Sequence, residues 1–150
     1  MPEILRTVGS IARALDSIAN REFQQVALTK GQYLYLARVA EHPGIIQERV
    51  AEMLKVDRTT AARAIARLTK LGLLEKRADQ QNKKIRRLYV TARGSDIYPL
   101  VKRENDYSNA QALRGFTPGE ANQLADLLAR VDGNVAQDWH DVKSGKQRQY

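Results

Sequence analysis

Between Leu54 and Arg58 the chain has three residues in which to leave one helix and enter another, and this spacing constrains the fold more than any other feature. Ile46, Val50, Met53 and Leu54 make one face of a short helix. Asp57 is placed to cap the next helix, in which Ala61, Ile65 and Leu68 are spaced for burial, and Gly72 is its C′ residue. After Gly72 the periodicity changes. Leu73–Arg77 and Ile85–Val90, the latter with Leu88 and Val90 on one face, read as two antiparallel strands joined by the polar, turn-prone loop Ala78–Lys84. Two short helices, a tight turn and a basic hairpin make the plan of a winged helix-turn-helix, whose second helix can enter the major groove of DNA.

The distribution of charge supports that plan. The 150 residues carry 25 Lys+Arg against 17 Asp+Glu, a net charge of +8. Between Lys55 and Arg93 twelve basic residues face only Asp57, Glu75 and Asp79, so this one segment holds the whole excess. Such a patch attracts a polyanion at long range and releases its counterions on contact. Arg58, Thr59, Thr60, Arg63 and Arg67 on the second helix, with Arg77, Lys83, Lys84 and Arg86 on the hairpin, are the expected contacts to double-stranded DNA. A different class of function stays open at this point: a sequence-tolerant, architectural or RNA-directed protein using the same basic hairpin without operator readout.

The flanks read as helical. Ile4, Val8, Ile11, Leu15 and Ile18 form one stripe of a helix running to about Val26. Thr29 and Gln32 suggest a capping box, with Leu28 stapled onto Tyr33, for a helix that stops at Pro43-Gly44. Thr91 can cap a fifth helix reaching about Leu113, kinked or loosened at Pro99, and Thr117-Pro118-Gly119-Glu120 opens a sixth. Leu124, Leu127, Leu128, Val131, Val135, Trp139 and Val142 continue its apolar face. The first and last stripes exceed what a compact monomer needs, so a homodimer is expected. The expected class is mainly α with a small antiparallel β-wing: residues 1–28 and 91–143 form a helical dimerisation region, 29–90 a winged helix-turn-helix, and 144–150 a disordered tail.

Several chemistries find no residues to carry them. With no cysteine there is no thiolate nucleophile and no thiol redox switch. Two histidines, His42 and His140, with no Gly-rich phosphate loop or Ser/His/Asp arrangement, argue against an enzyme and against a cofactor. Zinc would require convergent ligands, and Glu41, His42, Glu104 and Asp106 do not supply a convincing set, so no metal is expected. No apolar run reaches membrane-spanning length and Met1–Ser10 has no signal-like core, so a soluble cytoplasmic protein without a membrane partner is expected.

Three runs carry a further inference: Val56-Asp57-Arg58-Thr59-Thr60-Ala61-Ala62-Arg63, then Leu68-Thr69-Lys70-Leu71-Gly72-Leu73-Leu74-Glu75-Lys76-Arg77, then Leu88-Tyr89-Val90-Thr91-Ala92-Arg93-Gly94. Together they resemble the recognition helix, the Leu-x-x-x-Gly-Leu exit and the post-wing Leu-Thr-x-x-Gly of the MarR-type transcriptional regulators, and the likeness covers nearly the whole chain. The resemblance implies an obligate homodimer built by the terminal helices, wings that reach the minor groove, and a repressor that binds a pseudo-palindromic operator and releases it to a small phenolic or otherwise lipophilic effector. It implies an effector cavity lined in part by the second and fifth helices, where Tyr33, Tyr35 and Tyr98 lie. One departure stands out. The family's wing commonly reads Asp-x-Arg, whereas this chain has Asn82-Lys83-Lys84, which keeps the charge and loses the planar guanidinium fork.

Overall fold

The computed structural model describes residues 1–150. It contains α1 (Ile4–Glu22), a 3₁₀ turn at Gln24–Val26, α2 (Gln32–Glu41), α3 (Gln47–Leu54), α4 (Arg58–Lys70), β1 (Leu74–Ala78), β2 (Arg86–Val90), α5 (Ala92–Ala112) and α6 (Pro118–Lys143). This is the expected class, six helices and one antiparallel hairpin. The chain divides into two compact units, Met1–Ser108 and Asn109–Tyr150.

The core of the first unit draws one or two side chains from nearly every element. Phe23, Leu28, Leu36, Val39, Val50, Ile65, Leu68, Leu74, Leu88 and Val101 are fully buried. Ile65 and Leu68 are the anchors predicted for α4, so the recognition-type helix is seated by its apolar stripe and leaves its other face outside. Asp57 caps that helix, accepting from the Thr60 N–H at 2.7 Å, and the chain leaves it through Gly72 in the left-handed region (φ 74°).

The capping box expected at Thr29 and Gln32 does not form. Lys30 (φ 58°) and Gly31 (φ 76°) both turn left-handed, Gly31 becomes the N-cap, and Thr29 falls two positions too early to cap anything. Lys30 instead donates its N–H to the Asn20 side chain at 2.6 Å, tying the turn to α1. Gln32 is buried, and its amide in the satisfied orientation donates to the Ala27 and Thr29 carbonyls at 3.2 Å each. Tyr33 packs on Phe23, ring centroids 5.1 Å apart.

In the hairpin Leu74 pairs with Val90, Lys76 with Leu88, and Ala78 with Arg86. Side chains alternate across a strand, so Lys76 shares the face of the buried Leu74 and Leu88, while Arg77, Arg87 and Tyr89 share the other. A third segment completes the sheet. Gly44 N–H donates to Leu88 O and Leu88 N–H to Ile45 O, both at 2.9 Å, and Ile46 bridges Arg87, so the turn between α2 and α3 occupies the free edge of β2.

Thr91 ties the end of α4 to the start of α5. Its hydroxyl donates to Gly72 O at 2.6 Å and accepts from the Gly94 N–H at 3.1 Å, while its own N–H donates to Leu73 O at 3.1 Å. The Gly-Leu exit of α4 and the Thr-x-x-Gly after the wing are therefore two halves of one junction. α5 continues through Pro99, which supplies no N–H to the preceding turn. In the second unit, Thr117 and Glu120 form the expected capping box at 3.2 and 2.8 Å, with Pro118 at N1. Beyond α6, Lys146 pairs with Asp141 at 2.9 Å and Arg148 with Asp138.

Candidate nucleic-acid interface

Taking Ala61, Ile65 and Leu68 as the buried side of α4, the 100° step per residue puts Thr59, Arg63, Ala66 and Lys70 on the opposite side, with Thr60 and Arg67 beside them. All six are exposed. An exposed row carrying two guanidiniums, an ammonium and two hydroxyls on a single helix has the donors needed for base edges and phosphates. Arg58 sits off this row. Its Nη2 donates to Glu48 of α3 at 2.6 Å, so it flanks the helix and faces α3.

The hairpin supplies the second half. Lys76, Lys84 and Arg86 join Arg58, Glu48, Gln47 and Ile85 around a groove of about 450 Å³ between the wing and α3–α4. Lys83 is exposed in the loop beside Lys84. Arg77 is not part of this groove. It stacks over Tyr89 at 4.6 Å, pairs with Glu75, and lines a cleft on the other face of the hairpin. The hairpin cation that lines the groove at this point is its neighbour Lys76, which sequence reasoning missed. Strand alternation counted from Leu74 would have found it.

The wing's departure from Asp-x-Arg acquires a local explanation. Asn82 Oδ1 accepts from the Lys84 N–H at 3.1 Å, an Asx turn that an aspartate would make with an added negative charge. The loop keeps its shape while Lys83 and Lys84 carry the positive charge.

The three tyrosines divide. Tyr33 and Tyr35 are 7% and 5% exposed and pack within the core, away from the cleft that Tyr98 borders. Burial, with the Asp16 and Glu104 carboxylates, pushes the Tyr33 phenol above its ordinary value, and burial near Asp57 does the same to Tyr35. Tyr98 does line a cleft, of about 290 Å³, with Val39, Ala40, Pro43, Arg77, Tyr89, Val90 and Ser95.

Asp57 links the interface to pH. The Thr60 backbone N–H, then the Thr60 hydroxyl, the Thr59 N–H and the Arg63 charge, hold its carboxyl below the ordinary value of 3.8. A depressed carboxylate contributes stability that is complete above the unfolded-state value and is lost as pH falls through the folded one. Asn caps as well as Asp and does not titrate. Asp57→Asn should therefore match the parent in thermal unfolding at neutral pH and lose less stability below about pH 4. Parallel acid-loss curves for the two proteins would remove Asp57 from the account.

No helix is long and apolar enough to cross a membrane. The family model described as MarR family matches residues 28–85, from the residue before the α2 turn into the wing loop. Over 150 residues the chain is 55% identical to a Bacillus subtilis (strain 168) protein described as the uncharacterized HTH-type transcriptional regulator YybA, covering 100% of both chains. Two solved Listeria monocytogenes structures are 53% identical to this chain, with 100% of each chain covered. One is an uncharacterized SlyA-like transcription regulator, TM-score 0.94. The other is a putative MarR family transcriptional regulator complexed with 26mer DNA, TM-score 0.97.

Proposed function

Because this chain belongs to the MarR family of transcriptional regulators, and is not an enzyme, we propose that it works as a cytoplasmic homodimer that represses transcription from a pseudo-palindromic operator. The observation that carries the reading is the exposed row Thr59–Arg63–Lys70 beside the cationic groove of the wing, one surface with both base-reading donors and phosphate-binding charge. The DNA complex of the Listeria relative supports it.

Dimerisation rests on apolar surface. α1 exposes Ile4, Leu5, Val8, Ile11, Leu15 and Ile18, each between 38% and 65%, and α6 exposes Leu127, Leu128, Val135 and Val142 at 41–46%. Contiguous apolar stripes of this kind need a partner. A two-fold dimer would present two recognition helices about 34–36 Å apart, one turn of DNA. Relief by an effector completes the reading. The cleft at Tyr98 offers apolar walls, two phenols and a guanidinium to a small phenolic or lipophilic molecule.

Sedimentation at micromolar protein, followed by titration of the chain's own upstream region against random duplex and RNA at fixed salt, tests the proposal. A dimer with a specificity ratio well above unity is expected. A monomer would overturn the paired half-sites, and equal affinity for all three nucleic acids would favour a sequence-tolerant binder.

A further inference from the structure

Arg87 and Asp79 lie within the basic hairpin yet outside the groove described above. The Arg87 side chain joins two separate segments. Its Nε donates to Asp79 Oδ1 at 2.6 Å and its Nη1 to the Gly44 carbonyl, in the turn between α2 and α3, at 3.0 Å. The other oxygen of Asp79, Oδ2, accepts from the Gln81 and Asn82 N–H groups at 3.1 and 2.9 Å. The loop is closed by the main chain as well: Asp79 N–H donates to Ile85 O at 2.9 Å and Ile85 N–H to Asn82 O at 3.0 Å. Asp79 is the better covered partner, its side chain 18% exposed against 41% for Arg87. The Arg87 hydrogen bond, with those from Asn82 and Gln81, holds the Asp79 carboxyl below its ordinary value.

We propose that Asp79 and Arg87 are positioning residues for DNA binding: the Gly44–Arg87–Asp79 bracket clamps the loop bearing Lys83 and Lys84 to the helix-turn-helix, so that those lysines meet phosphate already ordered. This rests on the DNA-binding reading above. The argument turns on sign. A carboxylate among wing cations repels a polyanion, so charge alone predicts that its removal tightens binding. The three hydrogen bonds that the carboxylate accepts from Arg87, Gln81 and Asn82 predict the reverse, because a loop loosened by their loss must be ordered at the moment of binding. The fork matters too. A lysine at position 87 keeps the charge but cannot hold Asp79 and Gly44 together in one plane.

The test compares the full-length parent chain with Asp79→Ala and Arg87→Lys on one operator duplex across a salt series, with amide hydrogen exchange measured on the DNA-free proteins. Both substitutions are expected to weaken binding by roughly fivefold or more, with the parent's salt slope retained. Exchange at Gln81 and Asn82 should speed up in Asp79→Ala while α4 stays protected, which separates a loosened loop from a misfolded chain. Unchanged or tighter binding by Asp79→Ala overturns the proposal. So does a salt slope that falls by about 0.9 in a third variant, Arg87→Ala, titrated in the same salt series, the mark of a direct phosphate contact. A parent chain that binds no duplex at all overturns the DNA reading itself, and this inference with it.

Discussion

Gly94→Ala is expected to destabilise the chain by about 3 kcal/mol, the upper end of the cost of overpacking, and to lower its thermal midpoint by roughly 6 to 12 °C. Position 94 is in the first turn of α5, where alanine by propensity alone would gain up to about 1 kcal/mol over glycine. Space decides otherwise. A Cβ there would run into the Leu73 carbonyl oxygen and lie 2.6 Å from Val90 Cγ1. Backbone oxygen cannot rotate aside, and this one already accepts the Thr91 N–H that closes the junction between α4 and α5. Relief would require separating the two helices that hold the wing at its base. Gly133 provides the control, since it lies mid-α6 with nothing within 4 Å of a new Cβ. Gly133→Ala should leave stability unchanged or raise it by up to about 1 kcal/mol. The measurement is thermal unfolding of both variants against the parent. Equal midpoints for Gly94→Ala and the parent would show that the junction yields and that the post-wing glycine is dispensable.

That junction also shows what local sequence can and cannot convey. Asp57 and Thr117 were readable as caps because a cap is settled within four residues, by one side-chain oxygen and the N–H it reaches. Thr29 had the same pattern and failed, because two left-handed residues, Lys30 and Gly31, moved the helix start and Asn20, in the last turn of α1, took the N–H of Lys30. The hairpin was legible as two strands, but its third edge was not, since Gly44 and Ile45 pair with β2 from a distant turn whose own residues have no strand pattern. The same boundary runs through the site. The outward row of α4 follows from helical period and the buried Ile65 and Leu68. Which hairpin cations face it depends on strand register, which put Lys76 in the groove and Arg77 behind it. Tyr33 and Tyr35 look alike to any reading by residue type. Only packing shows that they fill the core while Tyr98 borders open space.

The sharpest expected division of labour lies between Arg63 and Lys84. Arg63 stands one turn into α4, on the side opposite Ala61 and Ile65, exposed and close enough to the capped N-terminus to act electrostatically on Asp57. A guanidinium there can donate two parallel hydrogen bonds to a guanine edge, and such a contact discriminates between bases by about 1 to 3 kcal/mol. Arg63→Ala should therefore reduce the ratio of operator to random-duplex affinity by roughly 5- to 150-fold. Lys84 lines the wing groove beside Arg86 and is held through its backbone to Asn82, leaving its ammonium as a point charge on a flexible stem. Lys84→Ala should weaken binding to operator and random duplex nearly equally and lower the salt slope by about one unit, leaving the ratio near the parent value. Titrating both variants against operator and scrambled duplex at several salt concentrations measures both quantities at once. If Arg63→Ala keeps the parent's specificity ratio, or if Lys84→Ala is the variant that loses it, base reading resides in the wing and the outward row of α4 serves only to hold phosphate.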